Sequence, residues 1–154
     1  MRRAARPFGA LLGVVVSATA CAGAAPRADV GAAHAVGAPP TGAIAQIYYW
    51  RARPGKLDEY NRYIRDVAEP IDEAARQRGA FLSVTTYVAQ DTTVPWTHMR
   101  VFILRDSAQL AGLGAALDAA GASLEPDSVK RRVRGEYAAT LRDRVGQATA
   151  RVLR

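Results

Sequence analysis

The sequence predicts a single α+β domain, built on an open antiparallel sheet with its helices on one face. A β-rich segment is followed by a stretch of helical periodicity, and two more β-rich segments precede a second helical stretch. The 154 residues suffice for one domain and include one cysteine, which cannot close an internal disulfide. We therefore expect the core to be held together by packing.

The first predicted strand covers Ala43 to Arg53 and ends at the turn signal Pro54-Gly55. In the helix that follows, apolar residues recur on one stripe, which comprises Leu57, Tyr60, Ile64, Val67, Ile71, Ala74 and Ala75. Pro70 lies within this stripe, and because the pattern resumes in phase we expect it to kink the helix without ending it. Gly79 follows the expected end of the helix.

Two further strands are predicted from Phe81 to Ala89 and from Thr97 to Arg105, joined by the connection Gln90 to Trp96. Asp106 then starts a second helix, in which Gln109 completes a capping-box-like pair. The body of this helix is expected to reach Ala120.

A third helix is expected from Asp127, with an inward apolar stripe that comprises Val129, Val133, Tyr137, Leu141 and Val145. Residues four apart drift by about 40° per step around an α-helix, so this stripe leaves a flat surface within a few turns. Gly146 is a natural break in the helix. The segment from Gln147 to Leu153 is then either more helix or a short closing strand.

The order β-α-β-β-α, with a possible late strand, is that of a ferredoxin-like sheet. The chain also resembles the dimeric α/β-barrel superfamily, which includes antibiotic-biosynthesis-monooxygenase-like domains. The resemblance rests on motifs between residues 43 and 120, namely Tyr49-Trp50, Pro54-Gly55-Lys56, Glu59-Tyr60, Pro70-Ile71 and Gly79. It implies a homodimer whose sheet faces pack together. The extra basic C-terminal helix departs from it.

Residues 1–21 have the layout of a bacterial signal peptide. A basic start precedes the apolar run from Phe8 to Ala18, which is too short to span a bilayer. Ala18-Thr19-Ala20-Cys21 resembles a lipobox, which predicts lipidation of Cys21. The alternative is an ordinary A-x-A cleavage site with an incidental thiol. We expect a membrane-anchored lipoprotein of the cell envelope, facing the periplasm or the exterior, or a secreted protein without the lipid.

The segments after the signal differ in composition and charge. Residues 22–42 are mostly alanine, glycine and proline, which predicts a disordered tether with a mean span of about 25 Å before a single domain over 43–154. The formal net charge of +7 is concentrated at the C-terminus, where residues 128–154 carry eight basic side chains against Glu136 and Asp143. Nucleic acid is not an expected partner of an exported protein. A membrane or envelope anion, or a merely solvated helix face, remain alternatives.

The parity of the strands predicts a candidate site on the open sheet face. Met99, Val101 and Ile103 are uniformly apolar and are expected to face the helices, because side chains alternate along a strand. The alternate residues of this strand, which include His98 and Arg100, are then expected on the open face, together with polar and aromatic residues of the neighbouring strands. The predicted ligand-binding residues are Tyr48, Trp50, Ser83, Thr85, Tyr87, His98 and Arg100. The alternative is that this face is only the core of a dimer interface.

Two residues of this set carry the possible chemistry. His98 is either an edge or interface residue or a catalytic base, which would need an orienting partner that the sequence does not name. Arg100 is expected to pair with a ligand, with water, or with a carboxylate at a strand end, Asp91 or Asp106. The carboxylates of the first helix are expected on its solvated face: Asp58, Glu59, Asp66, Asp72 and Glu73.

These observations predict a small-molecule-binding or accessory protein of the envelope. The alternative is a small monooxygenase-like enzyme, since the resemblance allows one that uses an aromatic pocket for a planar substrate or haem. The sequence has no second cysteine for a zinc site, no phosphate loop and no G-x-S-x-G motif. No metal is therefore expected, and no cofactor apart from the possible haem.

Overall fold

The computed structural model describes residues 38–153. Its elements are β1 (Ile44–Ala52), α1 (Leu57–Tyr63), a π-helical turn (Ile64–Ala68), α2 (Glu69–Gln77), β2 (Ser83–Val88), β3 (His98–Leu104), α3 (Ser107–Leu124), α4 (Ser128–Leu141) and β4 (Arg142–Arg151). The strand order is β2-β3-β1-β4, and every neighbouring pair is antiparallel. This is the ferredoxin-like α+β arrangement, so the predicted fold class is confirmed.

The helical segment after β1 continues through Pro70, as expected, but it does so by way of the π-helical turn. Pro70 lies at the start of α2, where an amide N–H has no partner within that helix. A π-helical turn holds one residue more than an α-helical turn, so the residues after it are shifted by one position in helical phase. Asp72 and Ala75 are therefore buried in line with Tyr60 and Ile64. The expectation that Asp72 is solvated is wrong for this reason.

Two groups of buried side chains form the core between the strands and the helices. The larger one comprises Ala75, Phe81, Phe102, Leu104, Leu113 and Ala120, and the smaller one comprises Ala52, Tyr60, Ile64 and Leu141. The Phe81 and Phe102 rings meet edge to face with their centroids 5.1 Å apart, which is a favoured aromatic geometry. The core thus joins β1 and β3 to every helix of the described chain.

The C-terminal segment ends in a strand. β4 begins directly after α4 and has 10 residues, so the closing strand is confirmed and is longer than expected. It pairs with β1, and the register shifts between Tyr49 and Trp50, which face Gly146 and Arg144 respectively. Val145 is therefore the extra residue of a β-bulge. Gly146 does not end an element, because it lies within β4.

The apolar stripe that was expected on the inner side of α4 faces outward instead. Val129, Val133 and Tyr137 are each about half exposed, whereas Leu141 is buried. The side of α4 that meets the protein includes Ala138, and it also carries two half-buried arginines, Arg131 and Arg134. The helix therefore turns two of its cations inward and three of its apolar side chains outward.

The predicted signal peptide, Cys21 and the tether as far as residue 37 lie outside the described residues. Between residues 38 and 153, no helix is long and apolar enough to cross a membrane.

Candidate functional site

The seven predicted site residues are divided between the two faces of the sheet. Tyr48 lies opposite Arg100, and Trp50 lies opposite His98; these four side chains face the helices. Ser83, Thr85 and Tyr87 lie opposite Ile103, Val101 and Met99 on the open face. The prediction of one shared face is therefore wrong. His98 and Arg100 point inward because polar partners on the helices satisfy them, and a binding role for the open-face residues stays a prediction.

Arg100 forms a buried ion pair with Asp72 of α2, and its Nη2 donates a hydrogen bond to Oδ2 of the carboxylate. The expected partners Asp91 and Asp106 do not fill this role: Asp91 bonds to Thr93, and Asp106 caps α3 through the backbone N–H of Gln109. Burial raises the pKa of Asp72 to about 6, although the Arg100 guanidinium acts in the opposite direction. Arg100 Nε is buried and has no hydrogen-bond partner among the described residues.

His98 is fully buried, and both of its ring nitrogens have protein partners. Nε2 lies 2.8 Å from Asn61 Oδ1, which can only accept, so Nε2 carries the proton. Nδ1 lies 2.8 Å from the Thr97 hydroxyl, which donates to it. Burial, followed by the positive charges of Arg142 and Arg100, lowers the pKa of His98 to about 4. The imidazole is therefore neutral at physiological pH, and its hydrogen bond to Asn61 connects β3 to α1.

Arg142, the first residue of β4, is surrounded by aromatic rings. Its guanidinium carbon lies 3.7 Å from the centroid of the Trp50 ring, 5.2 Å from that of Tyr60 and 5.9 Å from that of Tyr63. Its Nη1 donates a hydrogen bond of 2.8 Å to the Tyr60 hydroxyl. These cation–π contacts hold the side chain at the junction of α4 and β4. Burial raises the pKa of Tyr60, so its hydroxyl keeps its proton.

A cleft of about 670 Å³ opens between α2, α3 and α4, and we call it the helix-side cleft. Asp72 and Arg100 line it, as do Arg142 and the ring of Tyr63. The rest of the lining comes from the helices: Ala68, Ile71, Leu117, Asp118, Ala119, Gly121, Ala122, Arg131, Arg134 and Gly135. A volume of this size is typical of small-molecule sites.

The cations of the cleft outnumber its acids. Four arginines line the cleft. Its two acids are Asp118 and Asp72, and Asp72 pairs with Arg100. Arg131 donates to the backbone carbonyls of Glu125 and Pro126, whereas no hydrogen bond or ion pair to Arg134 occurs among the described residues. Arg134 is thus the cation best placed to receive an anion.

Sequence reasoning missed this cleft. The sequence shows the positive charge of the C-terminal segment, but it does not show which of its arginines point into the cleft. Gly121 also lies in the cleft wall, where a Cβ would make ordinary van der Waals contacts with Ile71 Cδ1 at 3.7 Å and Arg134 Nη2 at 4.0 Å.

The described residues do not favour a metal or haem site. No group of three or more His, Cys, Asp and Glu side chains that could hold a metal ion occurs between residues 38 and 153. His98, the histidine that could serve as an axial ligand of haem, has both nitrogens in hydrogen bonds within the protein. Haem binding through His98 therefore does not fit this arrangement.

Comparisons with known proteins add little beyond the fold. No protein-family model matches the sequence, and no curated protein matches it. Among solved structures, HapK from Hahella chejuensis is 12% identical with a TM-score of 0.49, over 71% of this chain and 92% of HapK. A dimeric protein of unknown function and ferredoxin-like fold from Bacteroides fragilis is 10% identical with a TM-score of 0.47, over 73% of this chain and 96% of that one. Neither likeness is close enough to identify a family.

Proposed function

We propose that this protein is an exported envelope protein that binds a small organic anion in the helix-side cleft. The observation that carries the proposal is the lining of that cleft, where Arg134 and the buried Nε of Arg100 have no hydrogen-bond partner within residues 38–153. Arg134 is half-buried, and a guanidinium that is partly removed from water without a partner is costly, so a ligand carboxylate in the cleft would remove that cost. The guanidinium group is also the side chain best shaped to hold a carboxylate through two parallel hydrogen bonds.

The ligand should carry an apolar or aromatic body beside its carboxylate. Ile71, Leu117 and the ring of Tyr63 supply apolar wall, and several alanines and glycines leave room between the helices. Pockets of this kind combine apolar walls with a few polar groups that fix the orientation of the ligand. Binding is favoured over catalysis because His98 lacks a free nitrogen, and the described cleft lining includes no cysteine, serine, threonine or lysine.

Replacing Arg134 by methionine should weaken the binding of a carboxylate probe. We expect 2-naphthoate to bind the unaltered protein, the neutral 2-naphthamide to bind far more weakly, and Arg134→Met to weaken naphthoate binding about tenfold to a hundredfold, as loss of a charge-assisted hydrogen bond predicts. Isothermal titration calorimetry measures all three. Arg132→Met is the matched control, because Arg132 lies two residues away on α4 and is exposed outside the cleft. Equal binding of acid and amide, or equal loss in both variants, would rule out an anion site at Arg134.

We also propose that Cys21 is lipidated and anchors the protein in a membrane. The support is the lipobox-like run that ends at the single cysteine of the chain. Cys21→Ala should move the protein from the membrane fraction to the soluble fraction, or block its processing, and mass spectrometry of the native protein should show acylation of the N-terminal cysteine. A native protein that is soluble and unacylated would favour the alternative of ordinary signal cleavage.

A further inference from the structure

The outer face of α4 carries apolar side chains that are largely left in solvent, although the Tyr137 ring also meets the Tyr63 ring with their centroids 6.4 Å apart. We define this face by Val129, Val133 and Tyr137, whose exposed fractions are 56%, 54% and 48%. Leu124, at the end of α3, is also about half exposed. Valine is a weaker helix former than the straight-chain residues, so helix propensity does not account for two exposed valines here. Apolar side chains that lie next to one another at the surface make this face a candidate interaction surface.

Cations accompany the outer face. Lys130 and Arg132 are well exposed and form only long ion pairs, with 4.0 Å between Lys130 and Glu125 and 3.8 Å between Arg132 and Glu136. Pairs that are this long and exposed contribute little, so both cations remain available to another negative charge. Arg131 and Arg134 face the cleft, so the exposed side of α4 presents Lys130 and Arg132 against Glu136, and this excess of positive charge favours an anionic partner.

The sheet-packed dimer implied by the family resemblance would not cover this surface. α4 contacts α1 and α3 and lines the helix-side cleft with Arg100, which places it on the helix side of the sheet. The partner sheet would instead meet Met99, Val101 and Ile103 on the open face. The outer face of α4 therefore needs a different partner.

We propose that the outer face of α4 rests on an anionic phospholipid surface, with its valines and tyrosine at the level of the headgroups. An apolar stripe flanked by lysine and arginine is the pattern of helices that lie in a membrane interface, and anionic headgroups attract such cations. The helix is 14 residues long, which is about 21 Å of contact along its axis.

This inference rests on the envelope location proposed above. A lipid anchor at Cys21 and a tether over 22–42 would hold the domain within reach of the bilayer. The contact through α4 would then be intramolecular in effect, so a weak interaction suffices. The surface would orient the domain on the membrane, while the anchor would keep it there.

The test uses the full chain with Cys21→Ser, so that its outcome does not depend on lipidation. A polarity-sensitive fluorophore is attached to a new cysteine, either Val133→Cys on the outer face or, as a control, Ala111→Cys. Ala111 is exposed in α3 and lies about 20 Å along that helix from Leu124. The vesicles are phosphatidylglycerol mixed with phosphatidylcholine, and pure phosphatidylcholine. The apolar N-terminal run is present in every sample, so any binding that it causes is common to all of them.

We expect emission at position 133 to shift to shorter wavelength with the anionic vesicles and to shift far less with the neutral ones. The label at position 111 should not respond to either. Arg132→Ser should weaken the response at position 133 about fivefold, as expected for one cation near a charged bilayer. Arg105→Ser, which removes an exposed charge next to β3, should leave it unchanged, and so should Arg134→Met.

Three results would overturn the inference. The first is the absence of a shift at position 133, and the second is an equal shift with neutral vesicles. The third is a shift that grows with protein concentration in the absence of lipid, which would assign the outer face to a second copy of the chain. Because Arg134→Met tests the cleft and Arg132→Ser tests the outer face, the ligand proposal and the membrane proposal can fail separately.

Discussion

Replacing Asp72 by leucine should lower the free energy of unfolding by about 3–5 kcal/mol, because it leaves the buried Arg100 guanidinium without its counter-charge. This is a large part of the 5–15 kcal/mol that holds a typical domain together, so partial unfolding at room temperature is within range. Leucine branches at Cγ as aspartate does, which keeps the change mainly electrostatic. Urea denaturation followed by circular dichroism measures the effect.

Two further variants separate charge from packing. Relative to Asp72→Leu, which shares the loss of stability that the buried neutral His98 causes below its ordinary pKa, Arg100→Met should gain stability as the pH falls from 7 toward 4. The reason is that the pKa of Asp72, already about 6, rises further without the arginine, so the folded state takes up the proton before the unfolded state does. Asp72→Leu should show no such gain, since arginine keeps its charge. The double variant should be more stable than Asp72→Leu alone. If all three variants lose the same stability at every pH, the pair acts through packing and not through charge.

The domain should form a homodimer through its open sheet face. Half-buried apolar side chains from the two central strands lie there, namely Ile47, Tyr49, Met99, Val101 and Ile103, and a second sheet would remove them from water. Light scattering at micromolar concentration, on a chain that starts near Ala43, should therefore give twice the monomer mass.

A charge in the middle of this face should halve that mass. Val101→Glu introduces it on β3, one of the two central strands of the sheet, and a carboxylate buried between two sheets has no partner. Val133→Glu is the matched control, because it makes the same exchange on the outer face of α4. A monomer mass for the unaltered chain would contradict the prediction. If Val133→Glu dissociates the dimer and Val101→Glu does not, the interface lies on α4.

Periodicity and turn signals predicted the order of strands and helices correctly, but not which face of β3 meets the helices. Both alternating sets of β3 contain apolar residues, so hydrophobicity does not choose between them. The choice depends on Asp72 and Asn61, which satisfy Arg100 and His98 from helices 28 and 37 residues away in the chain. Contacts with residues so far away in the chain do not affect the alternation of apolar residues within β3, so that alternation cannot predict them.

The helix-side cleft could not be predicted from the sequence for a related reason. A run of arginines predicts a charged region, but Arg132 and Arg134 differ in function only through the direction in which α4 is rotated. That rotation is set by where Ala138 and Leu141 pack. Leu141 belongs to the predicted apolar stripe and is buried, but Val129, Val133 and Tyr137 of the same stripe are about half exposed, because residues four apart drift around the helix.

The π-helical turn at Ile64–Ala68 also affects how this protein should be aligned with others. A relative whose helix lacks the extra residue would place its equivalent of Asp72 at position 71 of an ungapped alignment, opposite isoleucine. The buried acid would then appear to be absent from one of the two chains. A single gap within the turn aligns Asp72 with its equivalent in the relative. Searches for relatives should therefore allow an insertion inside this helix, where gap penalties are usually set high.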